Sequence, residues 1–151
     1  MNNGLLSLRS MLALVAVLAA LGAIAIQATV GTAAPAPKSL HLVATSVNKG
    51  EFFPKGKPRN GDRFGFGDKL SGDDTGFDRG VCTFSGGKTL CNVQAQLSKG
   101  SLSLQGFVPN GKLNNTPIAV LGGTGDYDGA TGTALVTDVS KKTTDINITF
   151  K

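Results

Sequence analysis

The sequence is poor in the residues from which most catalytic and metal centres are built. Of 151 residues, one is histidine and two are cysteine. His41 stands far along the chain from Cys82 and Cys91, so the three cannot supply a closely spaced four-ligand zinc centre. No metal and no cofactor are expected. Histidine is the usual base at neutral pH, and with a single copy there is no nucleophile–base–acid set. Charge is also sparse. The net charge is +5, and only Lys141 and Lys142 adjoin among the basic residues. A nucleic-acid partner would call for a basic cluster interleaved with aromatics, so none is expected. Beyond Pro37, helical periodicity is missing as well.

What is present begins with an export pattern. Arg9 precedes an apolar run over 11–26, and small residues over 28–36 follow it. This order predicts an apolar signal helix, with residues 1–34 as signal peptide and cleavage between about 28 and 36. The mature domain is then 35–151, secreted or held in the cell envelope, touching membrane only if the signal stays uncleaved. In such an oxidising compartment two cysteines pair by default.

After Pro37, short runs rich in Val, Leu, Ile, Phe and Thr recur around 39–48, 61–70, 77–85, 88–97, 101–108, 117–122, 130–139 and 144–150. Glycine, Asn, Asp and Pro separate them. Eight short strands predict an all-β fold, and an antiparallel eight-stranded β-barrel disposes of the sheet edges; a two-sheet sandwich is the alternative. Placing a hairpin turn at Gly86-Gly87 sets Cys82 directly opposite Cys91. A second turn at Lys99-Gly100 sets Leu97 against Leu102. Alternation through both hairpins gathers Cys82, Phe84, Cys91, Val93, Ala95, Leu97, Leu102 and Leu104 on one dry face.

Several motifs carry less than they promise. Gly122-Gly123-Thr124-Gly125 lacks the following helix of a dinucleotide site, so Gly122, Gly123, Gly125 and Gly129 read as a tight structural corner. Asp74-Thr75-Gly76 matches the aspartic-protease tripeptide without its preceding apolar strand or second copy. Asp73, Asp74 and Asp78 could offer oxygen ligands to calcium, although a solvated turn is the simpler reading. If Phe64 and Phe66 face inward, parity brings Asp68 in with them, where desolvation would raise its pKa; otherwise Asp68 caps the strand end. Phe64, Phe66, Asp68, Phe84 and Tyr127 are the cavity candidates.

Gly61-Asp62-Arg63, Phe66-Gly67-Asp68-Lys69-Leu70, Gly80-Val81-Cys82, the run over 100–106 and the run over 118–129 together resemble the allene oxide cyclase barrel, a relative of the dirigent proteins. The resemblance implies an eight-stranded barrel with an apolar cavity, often oligomeric, as in the trimers of the plant members. It also implies that Asp68 stands where the cyclases use an asparagine to hold a water, and that Cys82 matches a cavity cysteine. The first strand carries no carboxylate where the cyclases have a glutamate, so authentic cyclase activity is not expected. The leading expectation is a secreted barrel that binds a small hydrophobic molecule. The alternatives are an isomerase, cyclase or dirigent-type auxiliary that steers a reactive intermediate, and a cell-surface structural protein.

Overall fold

A computed structural model describes residues 37–49 and 58–151; the expected signal peptide, 1–34, lies outside the described residues. Eight strands follow in chain order: β1 (Ser39–Lys49), β2 (Arg63–Gly72), β3 (Gly76–Ser85), β4 (Lys88–Leu97), β5 (Gly100–Pro109), β6 (Thr116–Gly125), β7 (Gly132–Asp138) and β8 (Thr143–Phe150). Each pairs antiparallel with its neighbour, and β8 returns to β1, from Ser39↔Thr149 to Thr45↔Thr143. The sheet is a closed barrel with no free edge, which removes the sandwich alternative.

The β3–β4 hairpin follows from its turn residues. Gly86 and Gly87 sit at φ +58° and +80°, the pair of positive angles that a twisted two-residue turn requires. Ser85 then pairs with Lys88 and Cys82 with Cys91. The two sulfurs are bonded across Cα atoms 4.1 Å apart, as suits a close, non-hydrogen-bonded pair.

The next hairpin turns one residue earlier than the sequence suggests. Ser98-Lys99 is the turn, and Leu97 pairs with Gly100, Ala95 with Leu102. The register differs by two residues from the expected one, so every side chain keeps its face. Gly100 is required for a different reason: at φ +155°, a Cβ there would lie 1.9 Å from the Thr124 carbonyl oxygen of β6. The turn itself is held by Asp74, which accepts from Ser98 Oγ and, at 3.3 Å, from Lys99 N.

Alternation sorts the wall. Leu42, Leu70, Ala95, Leu102, Val120 and Ile148 point inward and are buried, while Asn92, Gln94, Gln96 and Gln105 face outward. The outer amides tie neighbouring strands, as in Gln94 Nε2 donating to Ser103 Oγ at 2.6 Å. The glycine block divides. Gly122 and Gly123 lie inside β6, opposite Ser103 and Leu102 across a bulge, and only Gly125 and Gly129, at φ +66° and +69°, shape the turn into β7. A Cβ on Gly123 would come within 2.4 Å of the Tyr127 carbonyl oxygen. That close approach lets the turn fold under the barrel.

Candidate active site: a cup with two carboxyls in its wall

The two ends of the barrel differ. At one end Tyr127, from the β6–β7 turn, is 1% exposed and stacks on Phe150 with ring centroids 6.2 Å apart. Its hydroxyl donates to Asp74 Oδ2 at 2.7 Å, and Asp74 also accepts from Thr75 N at 2.6 Å. This end is shut. Tyr127, expected in the cavity wall, belongs instead to this plug, because its turn is tucked beneath the strands and its only polar atom is tied to the β2–β3 loop.

Burial alone would penalise charge on Asp74. The donors Ser98, Tyr127, Thr75 N and Lys99 N outweigh that penalty and hold its pKa down at about 2. The Tyr127 hydroxyl is pushed up, by burial first and then by the Asp74 carboxylate it serves. Asp73 accepts from His41 N at 2.8 Å, and Asp78 lies inside the barrel, so the three acids, which a solvated turn or a calcium loop would hold together, serve three separate positions. Among the described residues no cluster suited to a metal ion occurs.

The other end opens into a cavity of about 690 Å³. Leu42, Leu70, Ala95, Leu102, Leu104 and Ile148 line its depth, and Phe64, Phe84, Val108 and Leu113 line it towards the mouth. Phe64 and Phe84 meet as a tilted pair with centroids 5.7 Å apart. Phe66 lies across Gly80, where a Cβ would stand 2.2 Å from the ring; the missing side chain is what admits the phenyl group. The Cys82–Cys91 disulfide forms part of the wall. Around the mouth, Thr89 Oγ1 donates to Asn110 Oδ1 at 2.5 Å, Asn110 Nδ2 donates to the Gly87 carbonyl, and Asp138 holds Leu113 N at 2.9 Å. These bonds fix the β5–β6 loop over the rim.

Four of the five cavity candidates, Phe64, Phe66, Asp68 and Phe84, therefore share one wall. Parity also brings in a residue that the sequence reading assigned to a loop. Asp78 sits directly across from Asp68 on β2 and β3, is 4% exposed, and accepts from Asp68 N at 3.2 Å. Cys82, Gly80 and Asp78 alternate on one face, so the hairpin that placed the disulfide also placed this acid. Burial raises the Asp68 pKa, partly offset by a hydrogen bond with Ser46. Asp78 is pushed up to about 7, by burial first and then by repulsion from Asp68, against one stabilising backbone N–H. Two carboxyls that cannot both ionise cheaply hold one proton between them near neutral pH. The pair can donate one hydrogen bond, accept others, and exchange a proton with a bound molecule.

No family model and no curated protein matches the sequence. Among solved structures, one titled "Pyocyanin demethylase" is similar, with 25% sequence identity and a TM-score of 0.65, the match covering 75% of this chain and 99% of that chain. The likeness extends over nearly the whole of that barrel.

Proposed function

We propose that this chain is an exported barrel that takes a small, largely apolar molecule into its cavity, with Asp68 and Asp78 as the polar contact. The observation that carries the reading is the cavity itself, about 690 Å³ within an apolar wall, a size suited to a single small ligand. A purely structural barrel has no use for such a space, because unfilled volume costs packing energy. The similar structure is titled for a demethylase of a small molecule, which supports a ligand site in the same kind of barrel. The disulfide is consistent with an extracytoplasmic setting. The motif resemblance to the allene oxide cyclase and dirigent barrels supports the same reading of an apolar cavity in a closed sheet.

A second reading, a barrel that rearranges its ligand or directs its stereochemistry, is favoured by one specific observation. The carboxyl pair lies in the wall at mid-depth, where a protonated acid and its partner can deliver and withdraw a proton without water. The test of the first reading is thermal stabilisation and fluorescence titration of the mature protein with a panel of flat aromatic and aliphatic probes. Saturable binding is expected, and Val93→Trp, which fills the cavity, abolishes it. Absence of uptake across the panel overturns the reading. Ligand turnover that disappears in Asp78→Asn, with binding retained, selects the catalytic reading.

A further inference from the structure

Charge is distributed unevenly along the barrel axis. The mouth end carries Arg59, Arg63, Lys88, Lys112, Lys141 and Lys142 against Asp62 and Asp138. The shut end carries Asp73, Asp74, Asp126 and Asp128 against Lys38, Lys99 and Lys151. Both mouth acids are committed to loop structure: Asp62 accepts from Arg59 N at 2.7 Å, and Asp138 accepts from Leu113 N and from Thr144 Oγ1. Among the described residues the only ion pair is His41–Asp145, on the outer wall of β1 and β8. No cation at the mouth is therefore neutralised by a described carboxylate in contact. Lys141 and Lys142 themselves form part of the cavity wall, beside the apolar rim. Among the described residues the only other ionisable groups facing the cavity are carboxyls, Asp68 and Asp78 at mid-depth and Asp138 near the rim.

A positive rim above an apolar cup with acids below it imposes a direction on any charged guest. An anion is drawn to the mouth and turned away from the depth; a cation meets repulsion at the entrance. We propose that the ligand is an amphiphilic organic anion seated body-first, its carboxylate, sulfonate or phosphate held at the rim by Lys141 and Lys142. This rests on the small-molecule reading and names the class of molecule for the same cavity. The rim lysines act as exposed point charges, so their attraction falls as salt rises.

The experiment compares two fluorescent probes of one aromatic body, anilinonaphthalene sulfonate and the uncharged phenylnaphthylamine. The sulfonate is expected to bind about ten-fold more tightly at low ionic strength, an effect that Coulomb attraction from two nearby cations can supply. The preference shrinks several-fold at about 0.5 M salt. K141Q/K142Q brings the two affinities close together, whereas K69Q, which removes a charge from the outer wall of β2, leaves their ratio unchanged. Equal affinities in the wild type, or an undiminished ratio in the double variant, overturn the anion assignment and leave the cavity reading intact. Sulfonate binding that survives Val93→Trp places the anion outside the cavity and overturns it too. Equal probe affinities together with sedimentation on phosphatidylglycerol vesicles would give the basic end to a membrane surface instead. If neither probe nor any of the wider panel binds, it is the cavity reading that fails.

Discussion

Asp74 and Asp78 lie on either side of the start of β3, each 4% exposed, and their environments push them in opposite directions. Asp74 at the shut end is surrounded by donors and is held at about 2; Asp78 in the cavity wall faces another acid and is raised to about 7. Solvent exposure is the same, so exposure alone does not explain the difference: Asp78 lies deeper among protein atoms and beside the Asp68 carboxyl, and Asp74 has the donors. Two side-chain hydroxyls and two backbone N–H groups converge on Asp74, and a single backbone N–H reaches Asp78. At the shut end the charge is part of the architecture, locking a turn, a loop and a tyrosine together. In the wall the carboxyl is met by a single backbone donor, an arrangement suited to a site where a ligand or a proton arrives.

The largest effect that would test this contrast is expected at the shut end. Asp74→Ala strands Tyr127 and the Ser98-Lys99 turn without their acceptor and should cost roughly 3–5 kcal/mol, the range for breaking a buried charged network. Chemical denaturation at neutral pH measures it; a loss under about 1 kcal/mol would mean that the plug does not depend on this carboxylate. In the wall the expected sign reverses. The folded-state pKa of Asp78 is raised, so its neutral form favours folding fully below the ordinary value of 3.8, and that advantage is lost as pH rises towards about 7. Asp78→Asn should therefore be more stable than the wild type above pH 7 by roughly 2–4 kcal/mol, at about 1.4 kcal/mol per pH unit, and nearly equal to it near pH 4. Parallel pH–stability curves for the two proteins would remove the shared proton from the argument. Smaller again is the effect of reducing or deleting the disulfide. C82S/C91S should lose ~2–3 kcal/mol, the chain-entropy value for so short a loop, and should loosen the mouth half of β3 and β4 before the plug, as local hydrogen exchange would show.

Much of this contrast was legible in the sequence, and what was not has identifiable causes. The Gly86-Gly87 turn fixed the pairing of Cys82 with Cys91 and, through alternation, the faces of three strands. Parity along β2 brought Asp68 inside with its phenylalanines. The same parity along β3 leads from Cys82 through Gly80 to Asp78, which the expected strand 77–85 already contains, but an acid two residues beyond a Gly-Asp-Asp-Thr-Gly stretch looks like more of the loop. Tyr127 was misplaced because a sequence shows that an aromatic follows a glycine corner and not which way the corner folds. Gly123 decides that, by permitting contact with the Tyr127 backbone. The Ser98-Lys99 turn was hidden by Gly100, whose glycine serves the crossing of β6 and not the turn. The rim lysines Lys141 and Lys142 show in the sequence only as an adjacent pair, and their place beside the cavity emerges only when the β7–β8 loop closes on the same opening as the β5–β6 loop.

The finest test of the comparison is Tyr127→Phe, which keeps the ring against Phe150 and removes one donor from Asp74. Loss of a single hydrogen bond to a charged acceptor should cost about 1–2 kcal/mol at pH 7. The sign of its pH dependence follows from the carboxylate. The Asp74 pKa is depressed, so its contribution is complete above the ordinary value of 3.8 and is lost as pH falls through about 2. With one donor fewer the depression weakens, so on acid titration both proteins begin to lose stability at the ordinary value of 3.8, but the variant loses less in total and its loss is complete at a higher pH than the wild type's. Below about pH 2 the carboxyl is protonated in both proteins, and the gap between them should then shrink to what a neutral hydrogen bond supplies. A gap that stays constant from pH 7 down to the acid limit would show that the tyrosine acts through packing alone, and the plug would then owe its low-pKa aspartate to Ser98 and the two backbone amides.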